Sequence, residues 1–176
     1  MFSDPEKNIS EMFVAEGMSV ADFGAGTGFY SLALAKKVGE YGKVYCLDVQ
    51  DEHLTKIKHE AERRGIKNIE LIHADLEVSN GSGLRAGSID RVVITNVLFQ
   101  TNHPKRIAVE AKRILKHSGK VAVVEWLGSF SMMGPHPDHV LPESQTIALF
   151  EMAGFALDKK FDAGSHHYGL LFRLAI

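Results

Sequence analysis

Residues 20–30 read VADFGAGTGFY, with glycine at alternate positions: Gly24, Gly26 and Gly28. The apolar run ahead of them, Ser19 to Gly24, reads as a β-strand. The run behind them, FYSLALAKKVG, reads as an amphipathic helix that stops at Gly39. Strand, glycine turn, helix is the opening of an α/β domain whose turn lets the backbone approach a ligand closely. No Gly-Lys-Ser/Thr follows, so this is not a phosphate-binding Walker loop. A dinucleotide turn places its third small residue at position 29 by the G-x-G-x-x-G/A spacing. Position 29 is Phe, and the third glycine comes one residue early.

The rest of the chain repeats the alternation of apolar runs and amphipathic stretches, the pattern of a parallel sheet covered by helices. KVYCLDV (43–49), IELIHAD (69–75), IDRVVITNVL (89–98) and KVAVVEW (120–126) read as further parallel strands. The stretch 51–65 reads as a surface helix with Leu54, Ile57 and Ala61 as its apolar stripe. The stretch 77–88, rich in Gly and Ser, reads as a loop. Residues 103–119 read as a helix with proline in its first turn and glycine past its end, and 142–154 as another with Pro142 at its first position. Two final runs, 155–163 and 168–176, are separated only by GSHH, too few residues for a parallel crossover. They form an antiparallel hairpin. The expected fold is therefore a Rossmann-like, doubly wound α/β sheet, mostly parallel with an antiparallel C-terminal strand, in one domain over residues 1–176. Ligands of such sheets sit beyond the carboxyl ends of the strands, where strand order reverses.

Bulk composition excludes several classes. Twenty Lys and Arg against 22 Asp and Glu leave a net charge of −2, which argues against non-specific nucleic-acid or anionic-membrane binding. Hydrophobic residues at 45% and charged residues at 24% are those of an ordinary globular domain. The lone cysteine, Cys46, allows no intrachain disulfide and fits a reducing compartment. The opening MFSDPEKNIS has no apolar signal core, and no run approaches membrane-spanning length, so the cytoplasm is the expected location.

Acids mark the strand ends. Asp48 closes the second strand, where a carboxylate accepts hydrogen bonds from ribose hydroxyls. Asp75 closes the third, where a carboxylate can accept a hydrogen bond from an adenine amino group, and Asp22 stands two residues before Gly24, inside the turn. Acids near the turn suit a cationic, phosphate-free adenosine compound better than a pyrophosphate. At Asp48 and Asp75 a helix or turn cap is the competing reading.

The set DFGAGTG, Asp48 in LD, HADLE and LKHSGKVAVVEW resembles the class I S-adenosylmethionine-dependent methyltransferases. It is most similar to the small ubiquinone/menaquinone-biosynthesis-type and arsenite-methyltransferase-like branch. The resemblance implies S-adenosylmethionine as cofactor, with S-adenosylhomocysteine as product. It also implies that Gly24 and Gly26 pass beneath the methionine part and that Gly28 packs the helix close. Asp22 would lie near the amino group, Asp48 at the ribose, and Asp75 at the adenine with Leu76 beside the ring. Asn96 would offer its backbone near the methionine end. The implied reaction is methyl transfer to a small-molecule or lipid-like acceptor at O, N or C.

Some subclasses do not match. TNVLFQ lacks the Asn/Asp-Pro-Pro-aromatic motif of base-amino enzymes, Cys46 sits mid-strand rather than as a nucleophile, and one cysteine is too few for arsenic chemistry. Metal-dependent catechol-type enzymes place carboxylates where this chain has Thr95 and Asn96.

The final hairpin turn should land at the ligand edge, which makes His166, His167 and Tyr168 the expected catalytic residues, histidine being a base near neutral pH. Polar turn residues without a catalytic part are the competing reading. Phe130, Met132 and Met133 are expected as an apolar lid or as core, with Gln100 and His103 facing the site and the first helix beside it. His136 to His139, HPDH, offers histidines, but no spacing matches a metal-ligand pattern, so no metal is expected. A small-molecule substrate is expected, with a homodimer allowed. An NAD-binding dehydrogenase-like domain and a non-catalytic cofactor-binding subunit remain as alternatives.

Overall fold

The computed structural model describes residues 4–131 and 133–175. Met1 to Ser3, Met132 and Ile176 lie outside the described residues. The elements in chain order are α1 (Pro5–Glu11), β1 (Ser19–Phe23), α2 (Phe29–Val38), β2 (Lys43–Asp48), α3 (Asp51–Arg63) and β3 (Ile69–His73). They continue with β4 (Ile89–Thr95), a 3-10 turn (Leu98–Gln100), α4 (Pro104–Ile114), β5 (Leu115–Trp126), a second 3-10 turn (Pro137–His139), α5 (Glu143–Met152), β6 (Phe155–Asp162) and β7 (His167–Leu174).

The strands make one seven-stranded sheet in the order β3-β2-β1-β4-β5-β7-β6. Pairings β1 to β2, β2 to β3, β1 to β4 and β4 to β5 are parallel; β7 runs antiparallel to both β5 and β6. Strand order reverses between β1 and β4, which opens a crevice at their carboxyl ends. Val20, Leu34, Val44, Cys46 and Ile57 belong to a core on the face carrying α1 and α2. Ile94, Ile107, Val121, Phe150 and Phe172 belong to the core beneath α4 and α5. Leu54, Ile57 and Ala61 are the buried residues of α3.

Several boundaries differ from those read in the sequence. Helix α4 ends at Ile114, not Gly119, and Leu115 is already extended (φ −68°, ψ 137°). The N–H groups of Gly87 and Ser88 donate to the carbonyls of Arg113 and Ile114 (3.1 and 2.8 Å), and Lys116 Nζ reaches both oxygens of Asp90 (2.8 and 2.9 Å). These long-range bonds end the helix before its glycine. The register jumps from Ile89–Leu115 to Arg91–Lys120, so residues 116–119 bulge. Strand β4 ends at Thr95 because Asn96 turns left-handed (φ 56°). Pro142 caps α5 rather than starting it, and β7 begins at His167, which pairs with Trp126.

Candidate active site

The glycine turn is held from two sides. Gly24 and Ala25 donate to the Leu47 carbonyl (2.8 and 2.9 Å), and Gly26 N–H donates to Asp48 Oδ2 (2.8 Å). All three glycines have positive φ (71°, 53° and 87°), and each is glycine for a different spatial reason. A Cβ on Gly24 would overlap Val97 Cγ2, and one on Gly28 would lie 2.8 Å from Ile57 Cγ1 on α3. A Cβ on Gly26 would meet nothing within 4 Å. Gly26 therefore faces open space, where a ligand can lie flat on the backbone.

That space is a crevice of about 500 Å³ at the β1–β4 reversal. Its walls hold Gly24, Gly26, Asp48, Asp75, Leu76 and Asn96, which the sequence pointed to, together with Gln100. They also hold Val49, Gln50, His53, Glu77, Thr95 and Val97, which sequence reasoning missed although most flank the strand ends it had singled out. Three carboxylates line the crevice and no Lys or Arg does, among the described residues.

Asp48 is 6% exposed. Besides Gly26, it accepts the Gln50 N–H (2.9 Å) and contacts His53 Nδ1 at 3.2 Å, so it holds the turn and faces the crevice at once. Asp75 is exposed, and its Oδ1 accepts the Glu77 N–H at 2.8 Å, so the turn-capping reading holds alongside its place in the wall. Asp22 is not in the turn but inside β1, fully buried and outside the crevice lining. Ser31 Oγ donates to its Oδ2 at 2.6 Å, while Oδ1 has no hydrogen-bond partner among the described residues. Burial pushes this carboxyl up to about 7.

Asn96 Nδ2 lies 3.2 Å from His167 Nε2. His167 is 4% exposed, its ring 4.3 Å from that of Trp126, and burial holds it below the usual imidazole range. It abuts the crevice wall through Asn96 without lining the crevice. His166 packs edge-on against Phe130 at 4.3 Å, and Phe130 pairs with Met133 through two backbone hydrogen bonds. The expected role of Tyr168 is corrected: its side chain belongs to the core on the α4–α5 face. Its hydroxyl donates to the Leu141 carbonyl (2.8 Å) and shares a hydrogen bond with Thr146 Oγ1 (2.7 Å). Burial pushes the phenol up, away from proton transfer.

Helix α1 packs against α2, with Asn8 Nδ2 donating to the Tyr30 hydroxyl at 2.7 Å, and does not line the crevice. His103 lines a separate, larger cavity of about 750 Å³ outside α4. There Glu110 is already paired with Arg113 and Ser82, and none of the strand-end acids takes part. Among the described residues no group of three or more His, Cys, Asp or Glu is arranged to hold a metal ion. Among the described residues no helix is long and apolar enough to cross a membrane.

Residues 15–153 match the family described as "Methyltransferase domain". A SAM-dependent methyltransferase structure from Aquifex aeolicus superposes with a TM-score of 0.89 at 30% identity, covering 97% of this chain and 89% of that one. A demethylmenaquinone methyltransferase of Bacillus mycoides is 31% identical over 140 residues, 79% of this chain and 57% of that protein. An arsenite methyltransferase of Mus musculus is 27% identical over 112 residues, 60% of this chain and 30% of that protein. The chain spans about half the length of the curated relatives it matches, between 44% and 58% for four of them.

Proposed function

Because the chain belongs to the methyltransferase domain family, we propose that residues 1–176 act as one domain that transfers a methyl group from S-adenosylmethionine to a small-molecule acceptor. The observation that carries this reading is the crevice itself. Its open-faced glycine lies beside three carboxylates with no Lys or Arg among its lining residues, which suits a cationic cofactor without phosphates. A dinucleotide would set its pyrophosphate against those acids.

The residues present fit the cofactor. Asp48 would take the ribose hydroxyls, and Asp75 the adenine amino group beside Leu76. Gly24 and Gly26 would underlie the methionine part, with the Asn96 backbone at its far end. Asp22, buried behind the lining with one oxygen unpartnered among the described residues, would act on the ammonium only indirectly. When bound, the cofactor supplies an electrophilic methyl on a sulfonium, with a neutral thioether as leaving group.

The protein's part is alignment and exclusion of water, which need no nucleophile of its own. A general base is required only where the acceptor must shed a proton. Of the three expected catalytic side chains, His167 is the one in contact with the crevice wall, and its lowered pKa keeps it neutral and able to accept a proton. His166, edge-on against Phe130, would touch the acceptor.

The relatives are named for demethylmenaquinone, aklanonic acid and arsenite. Lone Cys46 does not suit arsenic, so ring-bearing acceptors are the first to try. The same cysteine, buried and unpaired, suits the cytoplasm. Release of S-adenosylhomocysteine from a panel of quinols, phenols and amines tests the activity. Turnover with at least one ring-bearing acceptor is expected, and no release with any of them would reject the catalytic reading.

A further inference from the structure

Glu125 interrupts the apolar run 121–124 near the end of β5 and is 1% exposed. A carboxylate so deeply buried is costly unless its charge is matched, so its contacts show what it serves. Its Oε1 accepts the Leu98 N–H at 2.7 Å, and the N–H groups of Val97, Phe99 and Trp126 also favour the charged form. The favouring groups are all backbone donors, with no cation among them. Oε2 has no partner.

Three of those donors lie in the turn after β4, which begins at the left-handed Asn96. The same turn gives the crevice Asn96, Val97, Gln100 and Thr101. Val97 in turn packs against Gly24, where a Cβ would collide with it. A mechanical chain thus runs from Glu125 through the turn to the glycine bed. We propose that Glu125 is a positioning residue for the cofactor: from β5 it holds the 96–99 turn, so that Val97 and Asn96 close one crevice wall against Gly24. This rests on the cofactor reading above.

A neutral acid is a weaker acceptor than a carboxylate, so the hold depends on the charge of Glu125. Burial raises its carboxyl to about 7. The titratable group against it is Tyr168, paired with it on β7 and hydrogen-bonded to Thr146, with His167 next to Tyr168 on that strand; Asp22 of β1, on the opposite face of the sheet, is a second buried acid whose carboxyl stands at about 7. Glu125→Gln separates the contribution of Glu125 from that of Asp22.

The test is calorimetric titration of S-adenosylhomocysteine into wild type, Glu125→Gln and Glu125→Ala at about pH 8 and about pH 6, with melting curves to confirm folding. At the higher pH, Glu125→Ala should lose about tenfold or more in affinity, whereas Glu125→Gln, whose amide oxygen still accepts the Leu98 N–H, stays within about threefold. Wild type should lose more affinity on acidification than Glu125→Gln. A folded Glu125→Ala that binds like wild type overturns the proposal. Where Glu125→Ala does not fold, equal pH dependence of wild type and Glu125→Gln overturns it. Wild type that binds no S-adenosylhomocysteine at millimolar concentration rejects the cofactor reading itself, and this proposal with it.

Discussion

Asp48 and Asp22 show how residues of one type, on the neighbouring strands β2 and β1, are set to different tasks by their surroundings. Asp48 meets the crevice with one face and the Gly26 N–H with the other. Asp48→Ala should weaken S-adenosylhomocysteine binding about 10- to 100-fold, since it removes the turn's anchor together with the proposed ribose acceptor. His166→Ala should leave that affinity near wild type and lower turnover instead. Equal affinities in wild type and Asp48→Ala, measured by calorimetry, would reject the ribose role.

Asp22 has its carboxyl raised from 3.8 to about 7, first by burial. A raised pKa means the folded state prefers the neutral acid. The contribution of Asp22 to stability is therefore full below its unfolded value and is lost as pH climbs through about 7. Asp22→Asn should melt above wild type at about pH 8, with the gap shrinking toward about pH 4, yet bind S-adenosylhomocysteine more weakly. A variant that melts below wild type at the higher pH contradicts this. The sequence showed that Asp22 mattered but put it in the turn, because a two-residue offset from Gly24 does not reveal which residue still pairs with β2. It had no signal for the Ser31 contact.

At the scale of elements, the glycine turn separates packing from binding. Gly24→Ala should destabilise the fold and abolish cofactor binding together, because its Cβ collides with Val97. Gly26→Ala meets no atom, so it should cost only the left-handed strain of about 1–2 kcal/mol while filling the ligand's bed. Melting and titration together check the contrast; Gly26→Ala with undiminished affinity would move the ligand elsewhere.

The turn was legible because glycine spacing encodes backbone conformation directly. The α4–β5 junction was not, since the stop depends on Asp90, 26 residues from Lys116 in sequence. Asp90 also accepts the Ser19 N–H at 2.9 Å, so Asp90→Ala should cost about 1–3 kcal/mol in thermal or denaturant unfolding without touching the crevice. Glu125 was legible only as a lone charge in VAVVEW, since its partners are backbone groups of another strand's turn.

For the whole molecule, alternating periodicity sufficed to show which strands run parallel, and the short GSHH link showed the antiparallel end, while the order of the strands came only from the structure. The sheet brings the ends of β1, β2 and β3 to one side of the reversal and the ends of β4 and β5 with the start of β7 to the other. The first group supplies the acids of the crevice. The second supplies Asn96, Trp126 and His167 beside it. What periodicity could not supply was orientation across β7: His167 and Tyr168 are adjacent, so they face opposite sides of the sheet, His167 meeting Asn96 of the crevice wall and Tyr168 the core on the α4–α5 face.

The central claim is that this crevice takes a cationic, phosphate-free adenosine cofactor. It is tested most directly by titrating the wild-type protein with S-adenosylmethionine and, separately, with NADH. Saturable binding of S-adenosylmethionine, with none of NADH at the same concentrations, is the predicted result. Binding of NADH without S-adenosylmethionine would contradict it.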